Sequence, residues 1–105
     1  MKKVYIAGKF RAKNRWEQAQ AIRRAEVGGM AVAEIGCIPV IPHTLYGNWD
    51  GTLTDQFWLD ATLELMLMCD AVFVVEGWET STGTKGEIER AEIESMPVFY
   101  IGSYH

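Results

Sequence analysis

Four short apolar runs alternate along the chain with longer segments in which apolar and polar residues are mixed. The runs are rich in residues that favour strands, and glycine, proline or polar turn residues follow or precede them, which predicts four short strands. We place the strands at Lys3–Ala7, Cys37–Ile41, Ala71–Val75 and Val98–Ile101.

The longer segments between the runs carry helix signals. Asn14 stands three residues before Glu17, as in a capping box, and apolar residues then recur at roughly helical spacing. Gly28 and Gly29 weaken this helix by about 1 kcal/mol each, so we expect close packing on a sheet to compensate. The pattern predicts helices at about 15–35, 54–68 and 84–94, with loops at 42–53 and 78–83.

The order β-α-β-α-β-α-β predicts an α/β fold. Strands that are apolar on both faces belong in a parallel sheet with helices on each side, a three-layer sandwich. We expect four or five strands in a Rossmann- or flavodoxin-like sheet of order 2-1-3-4, and one domain over residues 1–105. Ligands bind such sheets at the carboxyl ends of the strands, which assigns the site to the loops 8–13, 42–53 and 76–83.

Composition excludes several classes of protein. With 49% hydrophobic and 23% charged residues, the chain is not intrinsically disordered, and no apolar run is long enough to span a membrane. The N-terminus leads directly into the first strand, so we expect a cytoplasmic protein in which Cys37 and Cys69 are thiols. We expect no metal ion, because no ligand cluster is visible, and no cofactor.

Charge is segregated along the chain. Residues 1–24 hold eight of the ten basic side chains and one of the fourteen acidic ones, whereas the net charge is −4. The overall balance argues against a nucleic acid polymer as the partner. Either the basic segment pairs with acidic neighbours, or Lys9 and Arg11 attract a small anion.

The segment from Ser81 to Glu87 contains the most candidate functional residues, with two glycines and three hydroxyl residues. Ser81, Gly83 and their neighbours lead into a helix, and such an N-terminus attracts anions through free N–H groups and the helix dipole. The carboxylate of Glu87 is placed to reach into the site, and the dipole should hold its pKa down. The alternative is that Thr84-x-x-Glu87 is a capping box, in which Glu87 only satisfies a backbone N–H.

One histidine and several tryptophans fall in or beside the same loops. His43 either orients the substrate or phosphate, or belongs to a structural Pro-His turn. Trp49, Trp58 and Trp78 can each stack on a nucleobase or pack in a core or interface. We favour Trp78 for stacking, because it follows the third strand closely.

Together these segments resemble the nucleoside 2-deoxyribosyltransferase-like superfamily, and in particular the 2′-deoxynucleoside 5′-monophosphate N-glycosidases. The resemblance covers nearly the whole chain. It rests on Val4-Tyr5-Ile6-Ala7-Gly8 followed by Arg11, on Pro42-His43, on Cys69-Asp70-Ala71-Val72, and on Ser81-x-Gly83-x3-Glu87. It implies cleavage of the bond between base and sugar in a nucleotide. It also implies a homo-oligomer, a dimer or larger, in which Tyr104 and His105 of one copy are candidates to complete the site of its neighbour.

The resemblance also implies roles for single residues. Glu87 corresponds to the glutamate nucleophile that attacks C1′ of the sugar, and Tyr5 to a tyrosine beside it. Ser81 corresponds to a serine that binds the 5′-phosphate, where the transferases carry aspartate. The phosphate-binding loop of the hydrolases corresponds to Gly8, Lys9, Phe10 and Arg11.

One position departs from the pattern of the superfamily. Thr62 stands where an aspartate is usual, which leaves the general acid to be supplied by Asp60 or Glu76. We therefore expect an N-glycosidase acting on a (deoxy)nucleoside 5′-monophosphate, and keep two alternatives. These are a deoxyribosyltransferase and a non-catalytic nucleotide-binding or sensor protein.

Overall fold

A computed structural model describes residues 1–46 and 52–101 of the chain. Its four strands form one parallel sheet in the order β2-β1-β3-β4, with helices on both faces. The predicted α/β fold and strand order are therefore confirmed. The elements are β1 (Lys3–Ala7), α1 (Arg15–Glu34), β2 (Ile38–Val40), α2 (Pro42–Tyr46), α3 (Asp55–Leu67), β3 (Ala71–Val74), a 3-10 turn (Trp78–Thr80), α4 (Thr82–Ile93) and β4 (Val98–Tyr100).

The sheet separates two apolar layers. In β1, Val4 and Ile6 point to the layer that α1 covers, whereas Tyr5 and Ala7 point to the layer under α3 and α4. This alternation follows from the two-residue period of a strand. Because β1 lies between β2 and β3, both of its faces are buried, and Tyr5 is held firmly in the second layer.

Two buried glycines let α1 approach the sheet. A Cβ atom at Gly28 would lie 2.5 Å from Cγ1 of Val75, and one at Gly29 would lie 2.5 Å from Cδ1 of Ile41. Real Cβ atoms do not come so close, so side chains at these positions would push the helix outward. The expected compensation for two helical glycines is therefore present as helix–sheet packing.

Two predicted boundaries were wrong. Part of the predicted loop 42–53 is helix α2, which begins at Pro42, since proline suits the first turn of a helix. Helix α4 begins at Thr82 instead of Thr84, because Ser81 provides the N-cap. None of the helices within residues 1–46 and 52–101 has the length and apolar character needed to cross a membrane.

Candidate functional site

A cavity of about 900 Å³ opens beside the carboxyl ends of β1 and β3. Parallel strands of order 2-1-3-4 leave a crevice at this point, where the connections from neighbouring strands diverge. Four segments line it: the loop after β1, the start of α2, one side of α3, and the first turns of α4. The sequence-predicted residues among the lining are Tyr5, Gly8, Lys9, Phe10, Arg11, His43, Asp60, Ser81, Gly83 and Glu87.

Glu87 and Tyr5 meet at this cavity. The hydroxyl of Tyr5 donates a hydrogen bond to Oε2 of Glu87 over 2.5 Å. Tyr5 is fixed by the centre of the sheet, and Glu87 by the second turn of α4, whose neighbours Ile88 and Ala91 are buried against the same layer. The two side chains stand 82 residues apart in the sequence, so only the fold brings them together.

Burial controls the ionisation of this pair. Loss of solvent raises the pKa of Glu87 from its ordinary value of 4.5 to about 7, and the hydrogen bond from Tyr5 opposes this shift in part. The pKa of Tyr5 is raised well above 10 by burial and by the negative charge of Glu87. The expected lowering of the pKa of Glu87 was therefore wrong, because burial of the carboxyl group outweighs the hydrogen bond that Tyr5 donates to it. Tyr5 stays a hydrogen-bond donor, and Glu87 is a mixture of acid and carboxylate near neutral pH.

The capping-box interpretation of Glu87 was also wrong. The N-cap of α4 is Ser81, whose Oγ accepts from the backbone N–H of Thr84 at 3.2 Å and from the Thr84 hydroxyl at 2.8 Å. Thr84 lies inside the helix, and Glu87 does not reach back to its backbone N–H as a capping box requires. The carboxyl group of Glu87 is therefore turned to Tyr5 and the cavity.

His43 is tied to the loop that follows β1. Its Nε2 lies 3.2 Å from the carbonyl oxygen of Gly8 and 3.3 Å from that of Lys9, and its ring meets Phe10 edge-on. The side chain is only 4% exposed, and burial lowers its pKa, so the ring is neutral and Nε2–H is the donor. His43 lines the cavity, but its polar contacts position the loop.

Arg11 and Asp55 form an ion pair in the lining. The guanidinium lies 2.8 Å from Oδ1 of Asp55, and the two side chains are 68% and 69% exposed. Arg11 belongs to the loop after β1, whereas Asp55 is the first residue of α3, next to its N-cap Thr54. The sequence predicted a helix from about residue 54 but not this contact. The ion pair supports the interpretation in which the basic segment pairs with acidic neighbours, although Lys9 has no ion pair among the described residues.

Helix α3 presents both Asp60 and Thr62 to the cavity. Asp60 is exposed and accepts a hydrogen bond from Gln56 over 2.8 Å. Thr62 donates to the carbonyl of Trp58 over 2.9 Å, and its hydroxyl lies near enough to Tyr5 to lower the pKa of that phenol. Near the Tyr5–Glu87 pair, α3 therefore offers the hydroxyl of Thr62 and no carboxyl group at that position.

The other candidate acid lies elsewhere. Glu76 lines a separate depression of about 150 Å³ with Arg23 and Arg24, so it is not brought to Glu87. Among the described residues, no group of three His, Cys, Asp or Glu side chains is arranged to hold a metal ion.

Trp58, not Trp78, lines the cavity. Trp78 packs against Tyr100, with ring centroids 5.3 Å apart, because the 3-10 turn directs it to the layer under α4. The preference for Trp78 as the stacking residue therefore has no support. A sequence signal for the cavity-facing side of α3 was missed. Asp55, Leu59 and Thr62 follow one another at helical spacing, and all three line the cavity. Trp49, Tyr104 and His105 lie outside the described residues.

Comparison with known proteins gives a family and no function. No curated protein and no solved structure matches the chain. The model of one family, a domain of unknown function named DUF7768, matches residues 2–101, which includes every element of the fold and all of the cavity lining described above. The chain is therefore a member of the DUF7768 family.

Proposed function

We propose that the protein hydrolyses the N-glycosidic bond of a nucleoside or deoxynucleoside 5′-monophosphate. The observation that carries the proposal is the largely buried Glu87, hydrogen-bonded to Tyr5 and exposed to a cavity of about 900 Å³. Such a volume is ample for a mononucleotide, and perturbed carboxyl groups in cavities are frequent catalytic groups.

Glu87 supplies the nucleophile in this mechanism. Its ionised carboxylate attacks C1′ of the sugar, and the base leaves with the electrons of the C1′–N bond. Tyr5 holds the attacking carboxylate in place and lowers its pKa, which increases the reactive fraction. Water then attacks C1′ of the glycosyl ester, releases the sugar phosphate and restores the carboxylate.

Two sets of lining residues would contact the base and the phosphate of the substrate. Asp60 on α3 is the side chain that we assign to protonate the departing base, and Trp58 on the same helix offers a ring for stacking. At the other end, the phosphate would meet Ser81, Gly83, Lys9 and Arg11, which are donors or leave room for close approach.

Release of free base from a panel of nucleoside and deoxynucleoside monophosphates, followed by chromatography, tests the proposal. Replacing Glu87→Gln keeps the shape of the side chain and removes the nucleophile, so we expect base release to fall by at least about a thousandfold. Glu89→Gln, an exposed acid on the same helix, is the matched control and should retain activity. Base release that persists in Glu87→Gln would refute the assigned nucleophile.

A nucleotide-binding protein without catalysis is the second candidate. The observation in its favour is Thr62, which stands where the resemblance implies an acid and whose hydroxyl already donates to the carbonyl of Trp58. Tight binding of a monophosphate, with no base release between pH 5 and 9, would favour this candidate. Exchange of bases without net release would instead indicate a transferase, which Ser81 argues against.

We further propose a cytoplasmic homo-oligomer. Cys37 and Cys69 are both free thiols, which suits a reducing compartment. Helix α3 exposes Phe57, and its C-cap Met68 is exposed as well, which favours burial of this side against another copy of the chain.

A further inference from the structure

The cavity is not a positively charged pocket. Among the described residues that line it, two are cationic, Lys9 and Arg11, and three carry carboxyl groups, Asp55, Asp60 and Glu87. A phosphate dianion entering this cavity would therefore meet an excess of carboxylates once Glu87 is ionised. The distribution of these charges decides how well an anionic ligand is held.

Asp55 alters this charge balance directly, because its carboxylate forms an ion pair with the guanidinium of Arg11. The 2.8 Å contact satisfies the guanidinium with a carboxylate of the protein itself, at the same group that a ligand phosphate would use. Both side chains are mostly exposed, so the pair is weak and solvent-screened, and an anion of higher charge can displace the carboxylate.

We propose that Asp55 is a specificity-determining residue that competes with the ligand phosphate for Arg11. The inference rests on the proposed function. When no phosphate is bound, Asp55 neutralises Arg11, and a phosphate that binds must displace the Asp55 carboxylate from the guanidinium. The carboxylate of Asp55 therefore reduces the preference of the site for a monophosphate over the corresponding nucleoside.

A purely structural role for Asp55 makes a different prediction. Asp55 is the first residue of the thirteen-residue helix α3, where a negative charge interacts favourably with the helix dipole. If this were its only role, Asp55→Asn would lower the melting temperature slightly and leave phosphate binding unchanged, whether or not Arg11 is present.

The experiment is a double-mutant cycle read by calorimetric titration with inorganic phosphate. Asp55→Asn should tighten phosphate binding by about three- to tenfold, because it frees Arg11 for the ligand. In an Arg11→Met background, the same substitution should change the affinity by less than about twofold. Glu64→Gln removes one exposed charge from the same helix outside the cavity and should have no effect.

Turnover gives the second readout. The ratio of kcat/KM for a nucleoside monophosphate to that for its nucleoside should rise in Asp55→Asn by a similar factor, and melting curves of all variants report any change in folding. Unchanged phosphate affinity in a folded Asp55→Asn variant, or an equal gain in the Arg11→Met background, would overturn the inference. Base release that depends on Glu87 would then still support the proposed function. A gain in phosphate affinity in Asp55→Asn without any base release would support competition between Asp55 and phosphate, but not the proposed hydrolysis.

Discussion

Glu87 is held at the cavity against the preference of a carboxylate for water. A single desolvated carboxyl group is favourable only when protonated, which is why its pKa rises to about 7. The hydrogen bond from Tyr5 recovers part of this loss, yet the structure would be more stable with a neutral side chain at the same place. Retaining a carboxyl group where it destabilises the fold is typical of a functional position.

The stability of the Glu87→Gln variant tests this argument. Because the folded-state pKa of Glu87 is raised from 4.5 to about 7, its protonation stabilises the protein below pH 4.5, and this contribution is lost as the pH rises through 7. Glutamine is neutral at every pH. We therefore expect Glu87→Gln to raise the free energy of unfolding by roughly 1–3 kcal/mol at pH 8.5 and to have little effect at pH 4.5.

Urea denaturation at the two pH values measures this difference, with Glu89→Gln as the control. Glu89 is exposed on the same helix, so its variant should show no pH-dependent gain. A Glu87→Gln variant that is less stable than the wild type at pH 8.5 would mean that the carboxylate is stabilised by groups other than Tyr5.

Tyr5 makes a separate prediction about the pH profile. Its hydrogen bond lowers the pKa of Glu87, so Tyr5→Phe should raise that pKa further above 7. If ionised Glu87 is the nucleophile, kcat/KM rises with pH through this pKa, and the rise should move to higher pH in Tyr5→Phe. The loss of activity should accordingly be larger at pH 6 than at pH 9.

The measurement is base release as a function of pH, with Tyr100→Phe as the matched control on β4. Tyr100 lies outside the cavity lining, so its variant should keep the wild-type profile. A Tyr5→Phe profile that falls equally at every pH would indicate that the phenol acts by packing alone.

At the level of single residues, the sequence predicted the composition of the site better than its chemistry. The strand–helix order was enough to bring Tyr5, Arg11 and Glu87 to one edge, because parallel strands share that edge. The sign of the pKa shift of Glu87 was not predictable, since it depends on burial of the carboxyl group in the folded chain, which no local pattern encodes. Asp55 was missed as a partner of Arg11 for the same reason: the two residues are distant in sequence.

At the level of elements, the strand order and the starts of α1 and α3 were predictable, whereas α2 and the start of α4 were not. Strands buried on both faces have an apolar pattern that needs no further information. For α4, Ser81 and Thr84 are both good N-caps, and the 3-10 turn at Trp78–Thr80 decides in favour of Ser81. Helix α2 was missed because five residues beginning with Pro42 carry too short a pattern to distinguish from a loop.

Two helical glycines, Gly28 and Gly86, allow the cost of packing to be measured apart from helix propensity. Gly28→Ala places a methyl group 2.5 Å from Val75 in a strand-packed interface, and we expect a loss of about 1–3 kcal/mol in stability. Gly86→Ala makes the same chemical change in α4, where a Cβ has open space, and should add up to about 1 kcal/mol. Thermal denaturation of both variants checks the opposite signs; a gain in Gly28→Ala would show that α1 can shift without loss.

At the level of the whole molecule, an exposed aromatic residue on α3 contacts a residue that lines the cavity. Phe57 is 47% exposed, and its ring meets Trp58 edge-on with centroids 5.0 Å apart. Trp58 in turn lines the cavity. A second copy of the chain packed on Phe57 would therefore stiffen one wall of the site as well as cover apolar surface.

Sedimentation velocity tests this arrangement. We expect the wild type to sediment as a dimer or larger assembly, and Phe57→Glu to shift it toward the monomer, because a buried unpaired charge opposes association. Trp16→Glu changes another exposed aromatic residue, 72% accessible and at the start of α1, and should leave the assembly intact. Base release should fall with dissociation in Phe57→Glu and not in Trp16→Glu. A wild type that is monomeric at all concentrations, or an assembly broken by Trp16→Glu and not by Phe57→Glu, would exclude α3 as the interface.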